Sequence, residues 1–219
     1  MNITPIAHIE NDFKEKFGIP RQSGLTGLPS KIVFEPNFRD VNALRGMDDF
    51  THIWLIWGFS EVKPGRFSPT VRPPRLGGNV RKGVFATRSP FRPNPLGLSL
   101  VKILEILPEP AIIVSGADLM DGSPIYDIKP YLPYTESVPE ASNGWSLSET
   151  EGKLKVKFPD ELLELIPENK RKGLTEALAQ DPRPQYQNSP NRIYIMSFAG
   201  FQVCFKIEDN LLTVVDVKK

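Results

Sequence analysis

"LGLSLVKILEILPEPAIIVSGADL" (residues 96–119) carries the strongest structural signal in the chain. Two runs rich in Leu, Ile and Val, 96–107 and 111–119, are parted only by Pro108-Glu109-Pro110. Proline has no N–H to give to a ladder, so the triplet ends one strand and admits the next. The same chemistry recurs outward from this pair. "THIWLIWGFS" (51–60) is β-rich and apolar at successive positions, which predicts a strand buried on both faces. "ITPIAHIE" (3–10) and "SKIVFEP" (30–36) are earlier strands, separated by the Pro/Gly loop "GIPRQSGL" (18–25); "VNALRGMDDF" (41–50) is a short helix or turn. "PIYDIKPYLPY" (124–134) closes the β-rich part. Six or so strands without intervening helices predict a closed or nearly closed β architecture, a barrel more than a sandwich.

The polar stretch "TESVPEASNGWSLSET" (135–150) reads as a linker. Beyond it the pattern predicts a strand (152–158), a helix capped by Asp160 and broken at Pro167, a second amphipathic turn of helix (168–180) and the rigid loop "DPRPQY" (181–186). "RIYIMSF", "FQVCFKI" and "LLTVVDV" then form a three-stranded meander with turns at Ala199-Gly200 and Glu208-Asp209-Asn210. The expected division is residues 1–140 and residues 141–219, the second a small α+β unit.

The 219 residues contain one cysteine, Cys204, so no internal disulfide and no cysteine-built zinc site is possible, which fits a cytoplasmic protein. No apolar run reaches membrane-spanning length, and the start "MNITPIAHIENDF" lacks the basic-then-apolar pattern of a signal peptide. Neither a metal nor a membrane is expected as a partner.

A net charge of +1 hides a segregation. Residues 62–104 hold no acid and nine bases (Lys63, Arg66, Arg72, Arg75, Arg81, Lys82, Arg88, Arg92 and Lys102), leaving 18 bases against 26 acids elsewhere. Seven prolines and five glycines run through the same segment, so its arginines sit on constrained backbone. Phosphate or nucleic acid is the natural partner of such a segment; a solvated face paired with the protein's own acids is the competing reading.

No G-x-G-x-x-G, Walker, G-x-S-x-G or H-E-x-x-H pattern occurs, so a Rossmann-type cofactor site is not expected. His8 and His52, the only histidines, both fall in strands and read as buried, hydrogen-bonded structural residues. Four clusters carry chemistry instead. "PRQSGL" (20–25) joins an arginine and an amide to a flexible turn. "TRSPFRP" (87–93) sets Arg88 and Arg92 on a proline-stiffened loop, where guanidinium groups suit carboxylates or phosphates. "GADLMDGSPIYDIKPY" (116–131) places Asp118, Asp121 and Asp127 near a strand end, although Asp121-Gly122-Ser123-Pro124 is also a sound turn with no other role. "DPRPQY" adds Asp181, Arg183 and Tyr186.

The segment from "PPRLGGN" through "LVKI" (73–103), with "DLMDGSPIYDIKPYLPY" and "AQDPRPQY", resembles the TrmO family, the tRNA threonylcarbamoyladenosine methyltransferases. "EKFGIPRQSGL" and "DDFTHIWLIW" match the same family upstream, so the likeness covers nearly the whole chain. The resemblance implies a single-sheet β-barrel with a small α+β C-terminal domain, S-adenosyl-L-methionine as cofactor, and a homodimer. It implies tRNA as substrate, with the methyl going to the exocyclic nitrogen of a threonylcarbamoylated adenine beside the anticodon. Cofactor positions carried over are Arg21, Gln22, Ser23, Gly24, Leu25, Ser60, Glu61, Arg88, Leu100, Ala117, Asp118, Leu119 and Met120. Ser60-Glu61 departs from the His-Gln of related chains. Leucines and Met120 are assigned to adenine packing, backbone groups to its edge, and an acid to the ribose or amino group.

A urea-like acceptor nitrogen is a poor nucleophile until its proton starts to leave, so a positioned base or carboxylate helps. Asp181 and Tyr186 are the candidates, with Arg183, or its rivals Arg88 and Arg92, on the threonyl carboxylate. Arg72, Arg75, Arg81, Lys82 and Arg92 are expected to face tRNA. A methyltransferase acting on another RNA or small molecule, a non-enzymatic RNA-binding barrel, and arginines serving a dimer interface are the alternatives.

Overall fold

The computed structural model describes residues 2–62, 67–73, 76, 79–146, 153–183, 189 and 192–219. Its strands are β1 (Ala7–Glu10), β2 (Pro29–Phe34), β3 (His52–Gly58), β4 (Thr70–Val71), β5 (Lys82–Gly83), β6 (Leu96–Leu107), β7 (Ala111–Ser115), β8 (Pro124–Pro130), β9 (Lys155–Lys157), β10 (Tyr194–Phe198), β11 (Phe201–Glu208) and β12 (Leu211–Lys218). The helices are α1 (Pro133–Glu136), α2 (Asp160–Leu163) and α3 (Glu168–Ala179).

Six strands close a barrel in the order β1-β2-β7-β6-β3-β8, every neighbouring pair antiparallel. Closure removes the sheet edges that short strands otherwise expose. Ile9, Ile32, Ile53, Leu55, Ile112, Leu119 and Ile125 fill the interior, all fully buried. The long β6 and β7 form the expected pair across the proline turn, with a bulge between Ile103 and Glu105.

β3 differs from expectation. It alternates: Ile53, Leu55 and Trp57 point into the barrel, whereas Trp54 and Ile56 are only half-buried. The outer apolar face belongs to local packing, with Trp54 edge-on to Tyr131 at 5.9 Å and its indole N–H donating to Glu136. Both histidines are hydrogen-bonded, His8 to Glu35 and His52 to Thr51, but half-buried rather than buried, because their strand positions face outward. Residues 41–50 form two 3-10 turns, Val41–Leu44 and Met47–Asp49.

The second sheet runs β10-β11-β12-β9. The expected meander is present, and β9 joins it parallel to β12 as a fourth strand. Asp160 is not a cap: α2 starts on it, Pro159 holds the cap position, and a carboxylate already in helical geometry complements the first-turn dipole instead. Residues 168–179 form a full twelve-residue helix rather than one turn.

The two cores meet through the β1–β2 connection, residues 11–28. Phe13 and Leu28 are buried in the second core, and Phe17 stacks on Phe205 at 6.3 Å and on Tyr194 at 6.5 Å. Gly173 of α3 has no room for a Cβ because Leu28 packs there. Lys170 also pairs with Asp12 at 2.6 Å. The loop that leaves the barrel and returns to it is therefore anchored in the other core.

Candidate active site

That anchored loop crosses one end of the barrel. Gly24 is in the left-handed region (φ 78°), and its N–H donates to the carbonyl of Gly116 at 2.8 Å. A Cβ on Gly116 would sit 3.1 Å from the Gly24 backbone, so two glycines permit the approach of loop to strand end. Ser23 Oγ accepts the Leu100 N–H at 3.2 Å, fixing the loop against β6. Just before these ties, Arg21 and Gln22 face a cleft of about 610 Å³.

The cleft floor is aromatic and acidic. Trp57 and Phe59 lie with ring centroids 4.4 Å apart. Gly97 is the cross-strand partner of Trp57, and any Cβ there would collide with the indole, so the glycine makes space for the ring. The Trp57 N–H donates to Ser99 Oγ at 2.9 Å, and Ser99, fully buried, donates in turn to Asp118 Oδ1 at 2.5 Å. Burial pushes the Asp118 carboxyl above its ordinary value; the Ser99 hydrogen bond and the Arg88 charge oppose this in part. The site thus holds a desolvated acid beside π-faces, an arrangement suited to a cationic or hydroxyl-bearing ligand.

Of the expected cofactor positions, Arg21, Gln22, Ser60, Glu61, Arg88, Asp118 and Met120 line the cleft. Ser23, Gly24, Leu25 and Leu100 do not line it; Ser23 and Gly24 hold the loop in place. Ala117 and Leu119 bury their side chains in the barrel core, leaving only their backbone for any ligand. Trp57, Phe59, Leu96 and Ser99 were not anticipated from sequence. The signal was the glycine in "LGLSL", which marks a close approach inside a strand.

The arginines divide by role. Arg88 Nη1 donates to Gln22 Oε1 at 2.7 Å, joining the 87–93 loop to the 18–25 loop. Arg92 turns back on its own loop, donating to the carbonyls of Thr87 (2.7 Å) and Val84 (3.2 Å). Arg21 Nη2 donates to the carbonyls of Asp181 (2.7 Å) and Arg183 (3.3 Å). Arg183 Nε lies 3.1 Å from the Asp181 carboxylate, and Asp181 is buried in the left-handed region (φ 52°). Thus residues 181–183 are tied to the cleft through Arg21, although neither Asp181 nor Arg183 lines it. Tyr186 and Arg75 lie outside the described residues. Arg72 and Arg81 line a second, wider groove that continues from the cleft, and Lys82 lies in β5 beside it.

Among the described residues no helix is long and apolar enough to cross a membrane, and no group of three or more His, Cys, Asp or Glu is placed to hold a metal ion.

Comparison with known proteins gives a consistent picture. The tRNA-methyltransferase O N-terminal domain matches residues 8–137, and the TrmO C-terminal domain matches residues 151–219. An Escherichia coli tRNA (adenine(37)-N6)-methyltransferase is 41% identical over 216 residues, covering 93% of this chain and 92% of its own. A Pseudomonas aeruginosa protein described as a putative S-adenosylmethionine-dependent methyltransferase, RcsF, is 39% identical over 226 residues, covering 99% of this chain and 97% of its own. A crystal structure of TrmO from Pseudomonas aeruginosa superposes with a TM-score of 0.80 at 30% identity, covering 100% of this chain and 99% of that one. Matches to both domain families, at this coverage, place the chain in the TrmO family.

Proposed function

We propose that this chain is a tRNA (adenine(37)-N6)-methyltransferase that uses S-adenosyl-L-methionine and acts on adenosine 37 already carrying a threonylcarbamoyl group. The observation that carries the reading is the cleft at the barrel end, where Asp118 is desolvated beside Trp57 and Phe59 and where the Arg88–Gln22 hydrogen bond joins the basic loop to the 18–25 loop.

The residues present fit the cofactor. Trp57, Phe59, Leu96 and Met120 offer apolar and π surface for an adenine ring and for a cationic centre. Asp118 and Gln22 offer polar groups for hydroxyl, amino or ammonium groups. The bound cofactor supplies a methyl group on a sulfonium, with a neutral thioether as leaving group.

The protein's task is then placement and exclusion of water. The loop anchored at Ser23 and Gly24 covers the barrel end, and Trp57 is held by Ser99 so that its face stays fixed. Asp181, Arg183 and Tyr186 are our candidates for the substrate side. Arg183 suits the threonyl carboxylate, and Asp181 or Tyr186 suits the proton that leaves the acceptor nitrogen. Arg21 holds this loop at the cleft by its two carbonyl contacts. Arg72, Arg75, Arg81 and Lys82 are assigned to the RNA backbone, and Arg92 acts by bracing their loop. The same reading takes residues 1–140 and 141–219 as two units and the working form as a cytoplasmic homodimer, whose mass sedimentation measures.

The test incubates the protein with S-adenosyl-L-methionine and two tRNA pools, one with and one without threonylcarbamoyladenosine, followed by mass spectrometry of the nucleosides. A methyl gain on threonylcarbamoyladenosine, in the first pool alone, is expected. No gain in either pool, together with no cofactor binding by calorimetry, overturns the reading.

A further inference from the structure

The wider groove, about 1460 Å³, has an unusual wall. Phe85 is 73% exposed although its neighbour Val84 is 1% exposed. The exposed ring is not a frayed tip. It sits on the 3-10 turn Val84–Ala86, closed by Thr87, whose N–H and Oγ1 both donate to the Val84 carbonyl at 3.1 and 2.8 Å. Arg92 braces the same turn and places its guanidinium 5.6 Å from the Phe85 ring centroid. The ring is therefore held in solvent by a rigid turn, with its ordering entropy already lost on folding.

Trp145 supplies a second aromatic. It comes from the connection between the two sheets, and its indole N–H donates to the Ala86 carbonyl at 3.1 Å, tying it to the Phe85 turn. Phe67, 48% exposed, lines the same groove. Arg72 and Arg81 stand among these rings, and no acid lines the groove among the described residues. Single exposed apolar residues are ordinary. Four aromatics, Phe67, Phe85, Phe91 and Trp145, interleaved with arginines on one groove are the pattern that single-stranded nucleic acid selects, because every base has a π-face and every linkage a charge. Arg21, Gln22, Thr87 and Arg88 line both the groove and the cleft, so a strand lying in one enters the other.

We propose that Phe85 and Trp145 form a stacking platform for the unpaired anticodon-loop bases that flank the acceptor adenosine, with Arg72 and Arg81 on the intervening phosphates. The inference rests on the function proposed above and assigns that site its positioning residues for RNA.

The experiment uses the full chain and an anticodon stem-loop carrying threonylcarbamoyladenosine, with 2-aminopurine at each flanking nucleotide in turn. Quenching on binding is expected for the wild type and should be lost in Phe85→Ala and Trp145→Ala. In methylation assays both variants should raise KM for tRNA by about ten-fold or more, with kcat and cofactor Kd little changed. Phe85→Leu should be as impaired as Phe85→Ala, and Phe85→Trp should restore KM. A wild-type KM in both alanine variants, or in Phe85→Leu, overturns the platform while leaving the enzyme reading intact. Quenched binding with no methylation does the reverse.

Discussion

The two cores of this protein are built on opposite terms. The second is apolar throughout, with Phe198, Phe205, Leu174, Leu178 and Met196 fully buried and Phe17, Tyr194 and Phe205 stacked together. The barrel matches it at one end and departs at the other, where Ser99 and Asp118 are hydrogen-bonded beneath a cleft. One core supplies stability. The other gives some up to hold a desolvated acid where a ligand can meet it. The β1–β2 connection joins them, so the site on the costly core is held by the stable one.

The largest break in this contrast should come from Phe205→Ala. Emptying the stack costs about 3–5 kcal/mol, read from the urea midpoint, and the cleft should fail with it because residues 13–28 lose their anchor. Next is Arg21→Ala. Removing the charged donor from the Asp181 and Arg183 carbonyls should cost about 1.5–3 kcal/mol and loosen "DPRPQY"; faster amide exchange around residues 179–183, with unchanged exchange in β3, is the signature. Gly97→Ala sharpens the comparison from the barrel side. Its methyl displaces Trp57, for about 1–3 kcal/mol of overpacking, and cofactor affinity should fall more than ten-fold in calorimetry.

The smallest effect has the opposite sign. Asp118 has a raised pKa in the folded state, so the native protein holds its proton more tightly than the unfolded chain. Stability therefore falls as pH rises from the ordinary value of 3.8 through the raised one, and stays lower above it. Asp118→Asn should remove that fall. At neutral pH it should be the more stable of the two, with the higher Tm, while losing cofactor affinity. Melts at acid and neutral pH, compared with wild type, measure the difference.

Local signals carried much of this fold. The ends of β6 coincide with the apolar run 96–107, because proline on one side and loop chemistry on the other define them. Long-range partners were not legible. α3 was underestimated because Lys170, Arg171, Lys172 and Gly173 dilute its apolar face, yet Gly173 is required by Leu28, a residue 145 positions earlier. Trp57 reads as core from its strand, and only the register with Gly97 and Ser99 shows that it also floors a cleft. The motif loops were visible as arginine-rich turns. That Arg92 braces while Arg88 reaches Gln22 depends on side-chain paths that no spacing encodes.

Gly58 and Leu96 are cross-strand neighbours in the closed barrel, and residues 59–95 leave and re-enter through that single pair. The ladder brings the ends of the excursion together, whatever lies between. Loop-closure entropy grows only logarithmically, so doubling such a segment costs about 0.6 kcal/mol. Residues 59–95 are thus an exchangeable cassette on a fixed frame: their length and lining can change without moving any barrel strand out of register, and what the cassette meets can change while the barrel stays as it is.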